Sequence, residues 1–128
     1  MTVVIDSSAL LAALLEEDGA EMAEEALLNA MISTVNLAEC VEVIERRGLK
    51  WDAVAGLLQL TTLNIAPLLV SEAVAAGQLA GLTRPAGLSL GDRCCLALAK
   101  SRQLPILTAD RAWLPFGEPL GLEIRTIR

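Results

Sequence analysis

Short apolar runs that alternate with helix-period segments constrain this chain more than any other feature of its sequence. Val3-Val4-Ile5 runs into Asp6, and Ile106-Leu107-Thr108 runs through Ala109 into Asp110. Runs this short and this rich in β-branched residues read as buried strands. The expected strands are Thr2 to Ile5, Met31 to Thr34, Thr61 to Ile65, Pro105 to Thr108 and Glu123 to Ile127. The expected helices begin near Ala9, run from Ala20 to Ala30, start again at Asn36 and end at Arg46-Arg47-Gly48, then span Trp51 to Leu60, Ser71 to Leu82 and Ser89 to Arg102. Asp52 is the expected cap of the Trp51 helix, and Asp18-Gly19 breaks the pattern before Ala20. Strands alternating with helices predict an α/β fold of three layers, a mainly parallel five-stranded sheet flanked by helices on both faces.

One domain over residues 1–128 is the expectation, since that length is close to the commonest domain size. The chain is 54% hydrophobic but has only one Phe and two Trp, so its core must be aliphatic, which suits helices packed on a sheet. No apolar run approaches the roughly 18 residues of a membrane span, and the N-terminus lacks the basic-then-apolar order of a signal peptide. The expected compartment is the cytoplasm, with no membrane partner. The three cysteines fit that setting: Cys94 and Cys95 are neighbours on a helix and poorly placed to pair, and with no histidine and unsuitable spacing zinc is disfavoured.

Four acids stand where a parallel α/β sheet gathers its ligands. Asp6 and Asp110 follow strands, while Glu39 and Asp92 lie near helix starts, and strand C-termini and the helix starts that follow share one edge. Taken singly, each acid has a capping explanation. Asn36-Leu-Ala-Glu39 and Ser89-Leu-Gly-Asp92 both have the spacing of a capping box, and Asp110 suits the start of a short turn. Caps need not converge, however, whereas a site for hard divalent cations must. Mg2+ takes carboxylate oxygens and retains several waters, and two such ions about 4 Å apart activate water and stabilise a leaving oxygen in phosphodiester cleavage. The net charge of −6 argues against a simple nucleic-acid binder, but setting the four acids aside leaves −2, and two cations would offset those four charges.

Four segments together resemble a known family. Val4-Ile5-Asp6-Ser7-Ser8-Ala9-Leu10, Ile32-Ser33-Thr34-Val35-Asn36-Leu37-Ala38-Glu39, Leu88-Ser89-Leu90-Gly91-Asp92 and Leu107-Thr108-Ala109-Asp110 are similar, in order, to the motifs of PIN domains, and in particular to the compact VapC-type toxins of toxin–antitoxin pairs. The resemblance implies a PIN-like fold and a metal-dependent endoribonuclease, using Mg2+ or Mn2+, with Asp6, Glu39, Asp92 and Asp110 as its acidic cluster. It implies a hydroxyl near the metal, for which Ser7, Ser8 and Thr108 are candidates. It also implies an RNA substrate, a cognate VapB-like antitoxin and a homodimer. The chain departs from the family pattern at Arg93-Cys94-Cys95, where small or aliphatic residues are usual.

Arg93 and Arg111 immediately follow site acids and are the candidates for substrate contact, or for pairing with the acids when no metal is bound. Arg46, Arg47 and Lys50 form the densest basic cluster, fit either to grip phosphate or to match a helix dipole. Glu42 is near enough on its helix to touch the site but better suits a solvated face, and Trp51 and Trp113 suit either base stacking or a core edge. Two other readings compete. One is a non-catalytic acidic α/β interaction module whose carboxylates act as caps. The other is a phosphatase or receiver-like domain, whose receiver-like version is disfavoured because Asp110 rather than a lysine follows the late strand, and neither Lys50 nor Lys100 follows a strand.

Overall fold

The computed structural model describes residues 2–128. Five strands form one sheet: β1 (Val3–Ile5), β2 (Ala30–Ser33), β3 (Asn64–Ala66), β4 (Ile106–Thr108) and β5 (Ile124–Thr126). Their order is β3-β2-β1-β4-β5, and every pairing is parallel. All residues of β1, β2 and β4 are buried, as expected for parallel strands covered on both faces.

Alternation along the strands divides the core. Val3, Ile5, Ile32 and Leu107 face helix α1 (Ser7–Leu15), helix α2 (Ala20–Ala26) and Cys40 of helix α3 (Thr34–Arg46). Val4, Met31 and Ile106 face the opposite side, where they meet helix α7 (Leu90–Arg102), Trp113 and Phe116. The layers close with α4 (Trp51–Leu58), α5 (Val70–Gln78), α6 (Ala80–Thr83) and α8 (Gly117–Leu120). Among the described residues no helix is long and apolar enough to cross a membrane.

Several boundaries differ from the sequence expectation, each for a local reason. The helix expected to reach Ala30 ends at Ala26, continues as a 3-10 turn over Leu27–Asn29, and yields Ala30 to β2, where it pairs with Val3. Helix α3 begins at Thr34 because Ser33 accepts the Val35 amide, so Asn36 is inside the helix rather than its cap. Asp52 does not cap α4: Lys50 holds that position, and Glu45 Oε2 accepts the Trp51 amide at 2.5 Å. The strand expected from Thr61 starts at Asn64, since Thr61 and Thr62 spend their hydroxyls on the Leu58 and Leu28 carbonyls. The helix expected over Ser71 to Leu82 is two, α5 and α6, joined at Leu79. Gly19 has a reason beyond breaking the pattern. Its φ is +88°, and a Cβ there would lie 2.6 Å from the Ile127 carbonyl oxygen, so only glycine lets β5's end pack on the α1–α2 turn.

Candidate active site

The strand order reverses between β1 and β4: the chain leaves β1 toward β2 on one side and β4 toward β5 on the other. A switch point of this kind is where open parallel sheets bind ligands at their strand C-termini, and Asp6 and the Thr108-Ala109-Asp110 segment leave the sheet there. Asp6 is 2% exposed. Its Oδ1 accepts from the Ala9 amide (3.0 Å) and the Ser8 hydroxyl (2.7 Å), and its Oδ2 accepts from the Thr108 hydroxyl (2.8 Å). The two hydroxyls are themselves fixed by the amides that follow β4. Ser8 Oγ accepts the Ala109 amide (2.9 Å), and Thr108 Oγ1 accepts the Asp110 amide (3.1 Å). Of the candidate hydroxyls, Ser8 and Thr108 belong to this network. Ser7 offers only its backbone carbonyl, to Cys40 Sγ at 3.5 Å.

Burial holds the Asp6 carboxyl up at about 6, against an ordinary 3.8. Its three hydrogen bonds oppose that rise and the nearby Asp92 charge adds to it. The buried thiols report the same gathering of charge. Burial pushes Cys40 up, with Asp6 and Glu39 adding to it. Cys95 is pushed well up by burial and then by Asp6, Asp92 and Glu39. Both thiols are held neutral and inert.

Asp92 and Asp110 do cap, as their spacing suggests. Ser89 and Asp92 form a reciprocal capping box in which Asp92 Oδ2 accepts the Ser89 amide at 2.9 Å. Asp110 Oδ1 accepts the Ala112 amide at 2.9 Å and starts the 3-10 turn Arg111–Phe116. Capping uses one oxygen of each and leaves the other without a protein donor among the described residues, so capping and cation binding do not compete for the same atom. Asn36 and Glu39 form no capping box. Asn36 is fully buried, and its Nδ2 donates to Glu39 Oε1 (2.8 Å) and to the Gly91 carbonyl (3.1 Å). The sequence carried a signal for this: Asn36, Cys40 and Ile44 fall on one buried stripe at four-residue spacing.

The donor set is all oxygen and carries an excess of negative charge, which suits a hard divalent cation. Among the described residues, no three His, Cys, Asp or Glu side chains are gathered closely enough to hold a metal ion by themselves. A small octahedral cation completes its coordination with water and needs only one or two carboxylates directly.

The remaining sequence candidates separate cleanly. Arg93 donates Nη1 to the Ala76 carbonyl (3.1 Å) and Nε to the Ser89 carbonyl (3.4 Å), tying α7 to α5. Arg111 is exposed, and among the described residues its side chain donates one hydrogen bond, to the Arg128 carbonyl at 3.4 Å. Glu42 pairs with Arg46 on an exposed face, and Arg47 reaches Glu17 at 3.6 Å. Trp113 is fully buried in the core and Trp51 half-buried at the start of α4.

The fold is similar to that of VapC20 from Mycobacterium tuberculosis, a toxin that cleaves the sarcin–ricin loop, with a TM-score of 0.75, 17% identity and coverage of 90% of this chain and 95% of that one. It is similar to a chain of a toxin–antitoxin complex from Klebsiella pneumoniae, with a TM-score of 0.73, 20% identity and 98% of each chain covered. It is also similar to a chain of DNA-bound VapBC from Salmonella typhimurium, with a TM-score of 0.73, 17% identity and coverage of 100% and 99%. A search of curated protein sequences returns no match. A PIN domain family model matches residues 3–117, a span that holds all four acid-bearing segments, and the chain therefore belongs to the PIN domain family.

Proposed function

We propose that this protein is the toxin of a toxin–antitoxin pair, a metal-dependent endoribonuclease that hydrolyses internal RNA phosphodiester bonds. The observation that carries the reading is Asp6: a carboxylate buried at the sheet's switch point, held by Ala9, Ser8 and Thr108, and paired with no base among the described residues. A buried, unpaired charge is costly unless a cation compensates it. Asp6, Glu39, Asp92 and Asp110 would hold Mg2+ or Mn2+, which supplies the Lewis acidity that lowers the pKa of bound water and offsets charge on the phosphate.

The chain's own residues do the rest. Ser8 and Thr108 lock the Asp6 carboxylate at the β1–β4 switch point, and the Ser89 box orients Asp92. A carboxylate of the cluster accepts the proton of the attacking water. Arg111, the arginine at the rim with no acid partner among the described residues, contacts an RNA phosphate. Arg93 is instead committed to two carbonyls.

The similar structures described as toxin–antitoxin complexes support an antitoxin partner. An Arg or Lys of that partner suits the acidic site, and an apolar helix would supply most of the affinity. Exposed Ile65, Leu69, Val70 and Val74 favour a homodimer, since apolar residues clustered at a surface favour association. Incubating antitoxin-free protein with cellular RNA tests the function. The parent cuts with Mg2+ and stops in EDTA, and Asp92→Asn does not cut. Cleavage that survives EDTA or the substitution refutes the metal mechanism.

A further inference from the structure

Glu39 is the one acid of the four that caps no helix; it lies inside α3. Its carboxylate is nevertheless held on two sides. Asn36, three residues earlier, is fully buried and binds Oε1 through Nδ2 at 2.8 Å. Both protons of that amide are spent on acceptors, Glu39 Oε1 and the Gly91 carbonyl, so the opposite amide orientation would set oxygen against oxygen. Asn36 Oδ1 is left buried with no partner among the described residues. Leaving a buried polar atom unpaired is unfavourable, and a fold that does so has a reason for keeping that amide.

Gly91, in the first turn of α7, closes the other side. A Cβ there would fall on the Glu39 carboxylate, 2.5 Å from Cδ and 2.7 Å from Oε1. Glycine is a poor helix former, so this close approach is the physical account of its presence.

We propose that Asn36 and Gly91 are positioning residues for Glu39: Asn36 tethers Oε1, and the absent side chain of Gly91 makes the room that the carboxylate occupies. Oε2 is then left without a protein donor among the described residues and is available to a divalent cation. The proposal rests on the cation reading above, and its test separates the two.

Melting temperatures in EDTA are measured for the parent, Gly91→Ala, Glu39→Ala and the double variant. Mn2+ affinity is measured calorimetrically for the parent, Gly91→Ala and Asn36→Ala. With Glu39 truncated, Gly91→Ala raises the melting temperature, because alanine is the better helix former. With Glu39 present, displacement of its carboxylate cancels or reverses that gain. Gly91→Ala and Asn36→Ala each weaken Mn2+ binding by about tenfold or more, as removal of groups that orient metal ligands does. Unchanged affinity in either variant overturns the proposal. So do melting effects that add across the cycle, even with a loss of affinity, because Gly91→Ala would then act through its neighbour Asp92. A parent that binds Mn2+ but cuts no RNA refutes the nuclease reading and leaves this test intact. A parent that binds no Mn2+ overturns both.

Discussion

Replacing Asp6 by asparagine should stabilise the metal-free protein at neutral pH and do nothing for it in acid. The carboxyl titrates at about 6 in the folded protein and at an ordinary 3.8 when freed from burial. Below pH 3.8 both states are protonated and Asp6 carries no penalty. As pH rises from 3.8 to 6, the unfolded chain releases its proton while the folded chain retains it, so stability falls. Above 6 the penalty is complete. A rise of about two units is worth about 3 kcal/mol, and in a domain of this size that corresponds to roughly 10 °C in melting temperature. Asparagine keeps the cap, since its Oδ1 can accept the Ala9 amide, and its Nδ2 can donate to the hydroxyls of Ser8 and Thr108. Melts of parent and Asp6→Asn in EDTA from pH 4 to pH 7.5 give the difference directly, with the titration of other groups cancelling. The variant's advantage should open across that window. A difference that stays constant with pH, or a variant that melts below the parent throughout, refutes the argument and leaves Asp6 as an ordinary cap.

Other consequences follow from the packing. Trp113→Ala should cost about 3–5 kcal/mol, the range for deleting a buried aromatic. Trp113→Phe should cost far less, because it also removes an indole N–H that has no partner; chemical denaturation of both distinguishes this from a base-stacking role, which predicts little loss of stability. Ser89→Ala should cost about 1 kcal/mol through loss of the α7 cap and should also lower cleavage through Asp92, so a variant with unchanged melting argues against the box. Light scattering at micromolar concentration should give a dimer mass for the parent and a monomer mass for Val74→Asp. A monomeric parent removes the dimer from the account.

The sheet was legible because parallel strands buried on both faces must be apolar along their length, and Val3-Val4-Ile5 and Ile106-Leu107 are. Asp6 and Asp110 were legible because they sit where those runs stop. Residues with two available roles were misread. Asn36 has the i, i+3 spacing of a capping box with Glu39, but Ser33 starts the helix and the amide is turned into the core, a choice decided by packing of α3 against α7. Gly91 carried no signal of its own, because its constraint comes from a carboxylate 52 positions earlier in the chain. Arg93 looked free because its acceptor, the Ala76 carbonyl, is brought alongside only when α5 docks on α7.

The reading stands or falls on whether the carboxylates at the C-terminal end of β1 bind a divalent cation. Anomalous diffraction from crystals soaked in Mn2+ tests it most directly. The account predicts a peak at the C-terminal end of β1, about 2.0–2.2 Å from oxygens of Asp6 and Asp92 or one water removed from them, as for a small octahedral cation that keeps part of its water shell, and no peak in Asp6→Asn crystals. Crystals of the parent that show no peak at this site at saturating Mn2+, or that show it only elsewhere, would contradict the account.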